Sequence, residues 1–294
     1  MTPDSGTVFF KPMKVETPID ILVPTHNRLE LTIRSINAIY ENTQAPFHLI
    51  IVDDSTDVIT PTYFEQLQKS HENITYIHSE EPYKEGNQLF NVGFAAAKSK
   101  YVATVMNSLT VEPDWEIVAL SILENDPKVG IVGLKSLFPN GRIESAGITM
   151  LKYTPVDIGR DLAGHRQMAI YECPAVQWAF AIVRREAALG NMPENVYHGF
   201  KGWDDIDLCF GLRDKGWKIV YCGYGAGYHY PRATRGSDTQ ESHEKNLENA
   251  RIFYKRWGYW DMFKKDKGER NPNTPVFIPI EEVRSGVPKR RKRK

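Results

Sequence analysis

Ile19-Asp20-Ile21-Leu22-Val23-Pro24-Thr25-His26-Asn27-Arg28 opens the part of the chain that decides its fold. Ile19 to Val23 is a short apolar run entered after Pro18 and closed by Pro24, the pattern of a buried strand. Leu29 to Tyr40 follows, with Leu29, Ile33, Ile36 and Tyr40 at helical spacing. The alternation then repeats. Phe47 to Val52 predicts a second buried strand ending in Asp53-Asp54-Ser55, and Pro61 to His71 a helix with Thr60 as N-cap and Pro61 in the first helical position. Ile74 to His78 predicts a strand, Leu89 to Lys98 an alanine-rich helix, and Tyr101 to Met106 a strand. Strands alternating with helices imply βαβ units and a largely parallel sheet, so the expected class is α/β. Such a sheet binds ligands beyond the carboxyl ends of its strands. Pro24 to Arg28, Asp53-Asp54 and Asn107-Ser108 all fall there, and residues 18–110 read as a nucleotide-binding half.

Further along, the pattern is less regular. Trp115 to Leu123 reads as a helix, Val129 to Leu137 as a strand, Pro139-Asn140-Gly141 as a turn and Val176 to Val183 as a strand. Asp204 to Lys215 and Asn246 to Trp257 have helical spacing; between them lie a strand, Lys218 to Cys222, and a glycine-rich basic stretch, Gly223 to Arg235. The expected organisation is an N-terminal extension (1–17), one domain (18–260) with an acceptor or catalytic half (111–260), and a C-terminal extension (261–294). That extension ends in six consecutive basic residues, Lys289 to Lys294. Acidic and basic residues are equal in number over the chain, 37 each, so the rest is net acidic. A terminal basic block is either a solvated tail or a hold on nucleic acid or an anionic membrane surface.

The 294 residues are 41% apolar and 25% charged, ordinary globular values. Cys173, Cys209 and Cys222 form no CxxC pair, which argues against a zinc site or a disulfide framework. No apolar run approaches a membrane span, and Met1 to Pro18 has no basic region leading into an apolar stretch. The expectation is a cytoplasmic protein.

Asp204, Asp205 and Asp207 precede an apolar helical pattern. They read equally as acids complementing a helix N-terminus or as a carboxylate positioned to take a proton from a hydroxyl. Asp53-Asp54 at a strand end reads as a turn former or as an acceptor for a base or ribose. His229, between Tyr228 and Tyr230, reads as structural or as a ligand for a metal or phosphate, with Arg232 and Arg235 close behind.

Taken in order, six segments resemble the family 2 glycosyltransferases of GT-A fold, in particular polysaccharide or O-antigen-type members. Ile21 to Arg28 resembles the family's opening strand and loop, and Ile51 to Asp57 its second strand and nucleotide-binding turn. Asn91 to Ala97 is similar to the following helix, Asn107 to Trp115 to the metal-motif region, Phe138 to Gly147 to a polysaccharide-type segment, and Gly202 to Cys209 to the segment bearing the base. The resemblance implies a Rossmann-like, mostly parallel mixed sheet flanked by helices. It also implies an inverting transfer from a nucleotide-diphosphate sugar, of UDP or dTDP type, to a saccharide, lipid-linked or other hydroxyl acceptor.

Residue by residue, the resemblance makes Asp205 the base with Asp204 beside it. Pro24, Thr25, Asn27, Arg28, Asp53, Asp54, Lys84, Asn87, Asn107 and Ser108 become donor-binding residues. His229, Arg232 and Arg235 meet the diphosphate, and His229 is also the candidate ligand for Mn²⁺ or Mg²⁺. Trp203 offers a stacking surface to the acceptor, whereas Trp178 reads as core. One position departs: Leu109 stands where the metal motif has an aspartate, and leucine cannot ligate a hard cation. Metal dependence is therefore expected to be weak, and Leu109→Asp to raise metal affinity. The alternatives are a DNA-modifying transferase recruited by the basic tail and an inactive nucleotide-sugar-binding protein.

Overall fold

The computed structural model describes residues 16–83, 87–151, 154–189, 192, 196–198, 203–231, 239–257 and 276–277. Its first third follows the predicted alternation: β1 (Ile19–Thr25), α1 (Leu29–Asn42), β2 (Phe47–Asp53), α2 (Ile59–Ser70), β3 (Ile74–His78), α3 (Gln88–Ala96) and β4 (Tyr101–Val105). β1 pairs in parallel with both β2 and β4, and β2 with β3. All seven residues of β1 are buried, as a strand covered on both faces requires. Its side chains alternate between two apolar layers. Leu22 packs with Ile50, Val52 and Phe94, and Ile21 and Val23 with Ile51 and Phe64. Each such side chain contributes about 1.5–3 kcal/mol by leaving water.

The start of α2 differs from expectation. The helix begins at Ile59, and Thr60 lies inside it. Asp57 makes the capping bonds, accepting from Thr60 N at 2.7 Å and from Thr60 Oγ1 at 2.9 Å. An acid three residues upstream reaches the free amide as well as the threonine would have.

The remaining elements are β5 (Leu109–Val111), α4 (Ile117–Asn125), β6 (Val129–Leu137), β7 (Ile143–Ser145), β8 (Ile148–Leu151), β9 (Thr154–Asp157), β10 (Ile170–Glu172), β11 (Phe180–Arg184), α5 (Arg185–Leu189), α6 (Asp204–Asp214), β12 (Lys218–His229), α7 (Gln240–Trp257) and β13 (Val276–Phe277). One sheet runs through both parts, in the order β13-β10-β12-β6-β11-β4-β1-β2-β3; β5 pairs with β12, β7 pairs with β6, and β8-β9 form a separate hairpin. β11 is antiparallel to β4 and to β6, while β12 is parallel to β6. The carboxyl ends of β1, β4 and β12 therefore lie on one side of the sheet.

Two sequence expectations change here. The strand expected from Val176 starts only at Phe180, which leaves residues 177–179 above the sheet. The strand expected to end at Cys222 continues through the glycine-rich stretch to His229, with a register shift between Cys222 and Ala226. Glycine is required there for close approach. A Cβ on Gly225 would sit 2.0 Å from the Trp115 carbonyl oxygen, and one on Gly227 2.7 Å from Leu109 Cδ2. The glycines thus permit a strand rather than mark a loop.

Candidate active site

A cavity of about 330 Å³ opens beyond those carboxyl ends, within the size range of small-molecule pockets. Pro24, Thr25 and His26 reach it from β1, and Met106, Asn107 and Ser108 from the end of β4. Glu144 comes from β7, Arg160 from the turn after β9, and Gln177 and Trp178 from the approach to β11. Asp204 and Asp205 come from the first turn of α6, and His229 from the end of β12. The backbone explains the convergence: Met106 N donates to Ala179 O at 3.0 Å, and Tyr230 N to Ser108 O at 2.9 Å.

His229 is nearly buried, and its Nδ1 lies 2.7 Å from Glu144 Oε2. A carboxylate only accepts, so Nδ1 carries the proton and Nε2 is left for a ligand. A neutral ring there offers a lone pair to a cation; an imidazolium donates to a phosphate oxygen.

At the end of β1, His26 Nδ1 lies 2.9 Å from Asp54 Oδ1, and Tyr83 N donates to Asp54 Oδ2 at 2.9 Å. The bond to Asp54 raises the pKa of His26 above its ordinary value, against the opposing effect of partial burial. Thr25 is fully buried, and its Oγ1 has no hydrogen-bond partner among the described residues. Asp205 Oδ1 accepts from Ile206 N at 2.8 Å.

Burial raises the pKa of Asp157, which lies behind the cavity wall. Gln177 Nε2 donates to its Oδ1 at 2.8 Å, and Arg160 Nη1 to its Oδ2 at 3.2 Å.

Of the residues expected from sequence, the cavity brings together Pro24, Thr25, Asn107, Ser108, Asp204, Asp205 and His229. Several others stand outside it. Asp53 is fully buried and holds the β2 turn, accepting from Ser55 N at 2.9 Å, from Ser55 Oγ and from Tyr76 OH at 2.6 Å. Asp54 is buried and joins His26 to the Tyr83 amide. Asn27 latches the β1 loop to the β2 loop, its Oδ1 accepting from Thr56 N at 3.0 Å. Arg28 is exposed at the N-terminus of α1 with φ 57°, and Asn87 is buried at the N-terminus of α3. Lys84, Arg232, Arg235 and the tail from Lys289 to Lys294 lie outside the described residues.

Trp203 does not stand open to an acceptor. It is buried, donates from Nε1 to Asn246 Oδ1 at 2.9 Å, and packs on Phe253 and Tyr254 of α7. The apolar area of an indole favours that helix interface over water. Trp178, read as core, is 2% exposed and packs on Phe90 with ring centroids 4.5 Å apart, yet it also walls the cavity.

Leu109 is fully buried in the cluster that includes Val111, Trp115 and Phe180. It lines no part of the cavity, so an aspartate there would enter the core rather than restore a metal ligand. Among the described residues no three His, Cys, Asp or Glu side chains cluster to hold a metal ion.

Glu144, Arg160, Gln177 and His26 were missed from sequence. Glu144 sits in a segment that carried the resemblance, and pairing it with His229 would have required knowing that β7 and β12 both flank β6.

Residues 20–187 match the family model described as glycosyl transferase family 2. The chain belongs to that family. An uncharacterized protein of Sinorhizobium fredii (strain NBRC 101917 / NGR234), y4gI, is 29% identical over 273 residues. That match covers 85% of this chain and 29% of the relative, so the chain spans under a third of the relative's length. Among solved structures, GalNAc-T7 with UDP, GalNAc and Mn²⁺ superposes with a TM-score of 0.66 at 13% identity, over 92% of this chain and 54% of that one. S. aureus TarS 1–349 superposes with a TM-score of 0.53 at 14% identity, over 83% and 74%. The fold is that of the GT-A structures it superposes on. Among the described residues no helix of this chain is long and apolar enough to cross a membrane.

Proposed function

We propose that this glycosyltransferase moves a sugar from a nucleoside-diphosphate donor of UDP or dTDP type to an acceptor hydroxyl, with inversion and with Asp205 as general base. The observation that carries the reading is the shared cavity. Asp204 and Asp205 enter it from α6, while Asn107, Ser108 and His229 enter from the strand ends where a diphosphate sits in sheets of this kind. The family membership and the UDP held by the GalNAc-T7 structure support the donor class.

In the step proposed, the acceptor oxygen bonds to the anomeric carbon as the carbon–oxygen bond to the diphosphate breaks. Asp205 takes the hydroxyl proton. The nucleoside diphosphate leaves with the bonding pair, and His229, held by Glu144, donates to or neutralises the emerging charge. Asp204 supports the same turn of α6.

The test is Asp205→Asn. Turnover should fall by roughly 10²–10⁴ while donor affinity persists. Near-normal turnover by that variant rules out Asp205 as the base.

A further inference from the structure

Arg160 and Gln177 enter the cavity from different segments and are tied to one carboxylate, Asp157. Because a carboxylate accepts only, Gln177 must present Nε2 to Asp157, and its Oε1 is the group left to accept. Arg160 retains further N–H donors, and its guanidinium carbon lies 4.9 Å from the Phe138 ring centroid. The mounting is firm. Ala146 N donates to Ile158 O at 2.9 Å, Ile158 N to Gly147 O at 2.8 Å, and Asp161 N to Ile143 O at 2.8 Å. These bonds fasten the turn carrying Arg160 alongside the strand carrying Glu144. Beside Gln177, Trp178 supplies an apolar wall.

We propose that Arg160 and Gln177 are the specificity-determining pair for the transferred sugar, and that this sugar is a neutral, hydroxyl-bearing ring. The assignment rests on the donor-site reading above. A sugar hydroxyl both accepts and donates, so neighbouring hydroxyls can accept from Arg160 and donate to Gln177 Oε1. Aromatic surface suits the C–H face of the ring. Asp157 already meets the charge of Arg160. A carboxylate on the sugar would have to compete with Asp157 for the guanidinium, in a cavity also lined by Glu144.

The experiment is calorimetric titration of the full chain, at one fixed Mn²⁺ concentration, with UDP, UDP-glucose, UDP-galactose, UDP-N-acetylglucosamine, UDP-N-acetylgalactosamine and UDP-glucuronic acid. dTDP and dTDP-glucose are run in parallel. At least one neutral sugar nucleotide should bind more tightly than its bare nucleotide. Gln177→Leu and Arg160→Met should each cut that gain by about tenfold or more, the scale of a hydrogen bond with a charged or buried partner, and leave bare-nucleotide affinity unchanged. Should Gln177→Leu fail to fold, Gln177→Asn retracts the same oxygen with less disturbance. A gain retained in both variants, a preference for the glucuronic acid donor, or nucleotide binding with no sugar-dependent gain overturns this assignment alone. Failure of every nucleotide to bind the unmutated chain overturns the donor-site reading and this assignment with it.

Discussion

The segment from β1 to β4 and the segment from Phe138 to Trp178 both line one cavity but are built by different means. In the first, four strands of five to seven residues alternate with three helices; α1 and α2 each lead to the neighbouring parallel strand, and α3 crosses back to place β4 on the other side of β1. In the second, β7 to β10 are three or four residues long. They are held by main-chain bonds such as Ile143 N to Leu162 O and Cys173 N to Ile219 O; β7 carries Glu144, and the turn after β9 carries Arg160. The regular part owes its position to burial and periodicity, the irregular part to particular hydrogen bonds. Substitutions in the first should therefore register as stability, and substitutions in the second as catalysis or selectivity.

The largest expected effect tests the edge of the regular part. Leu109→Asp places a carboxylate in a fully buried apolar cluster and should destabilise the protein by about 3–5 kcal/mol. Denaturant unfolding gives that value, and Mn²⁺ titration should show no gain in affinity. A stable variant with tighter Mn²⁺ binding would place residue 109 at the donor instead.

Next comes Glu144→Gln, on the irregular side. Partners that orient a functional histidine typically contribute about 10–100-fold, so turnover should drop by that factor with little change in melting temperature. A purely structural Glu144 would give the reverse pattern, a lowered melting point with normal turnover.

Asp53→Ala sharpens the same contrast. Its carboxylate joins Ser55 to Tyr76, and its loss should remove about 1–3 kcal/mol of stability. If calorimetry instead finds weakened nucleotide binding at unchanged stability, Asp53 acts on the donor.

The smallest effect concerns pH. The folded-state pKa of His26 lies above its ordinary value because of Asp54. The stabilisation is therefore fully present below the unfolded pKa of about 6.5 and fades as pH rises through the folded value. Since the side chain is 31% exposed, the effect should stay below about 1 kcal/mol. Unfolding of the wild type and His26→Gln at pH 6 and pH 9 should show the wild-type advantage shrinking. An advantage that grows with pH would show that the His26–Asp54 pair does not stabilise the fold.

What the chain's order of residues determined by itself is the class of fold, its first four strands and the positions at their carboxyl ends. It also placed Asp204, Asp205 and His229 among the candidates. Those readings rest on local rules: alternation of apolar runs, helical spacing, and acids or histidines next to strand and helix ends. Only the tertiary structure decided which candidates meet. It sent Asp53, Leu109 and Trp203 into packing and brought Glu144, Arg160 and Gln177 to the cavity from segments without a readable period. It also turned a glycine-rich stretch into the strand that carries His229. The reason is physical. Periodicity records which side of an element is buried, whereas a cavity is assembled from the ends of elements that lie far apart in the chain, and their meeting depends on sheet order and register.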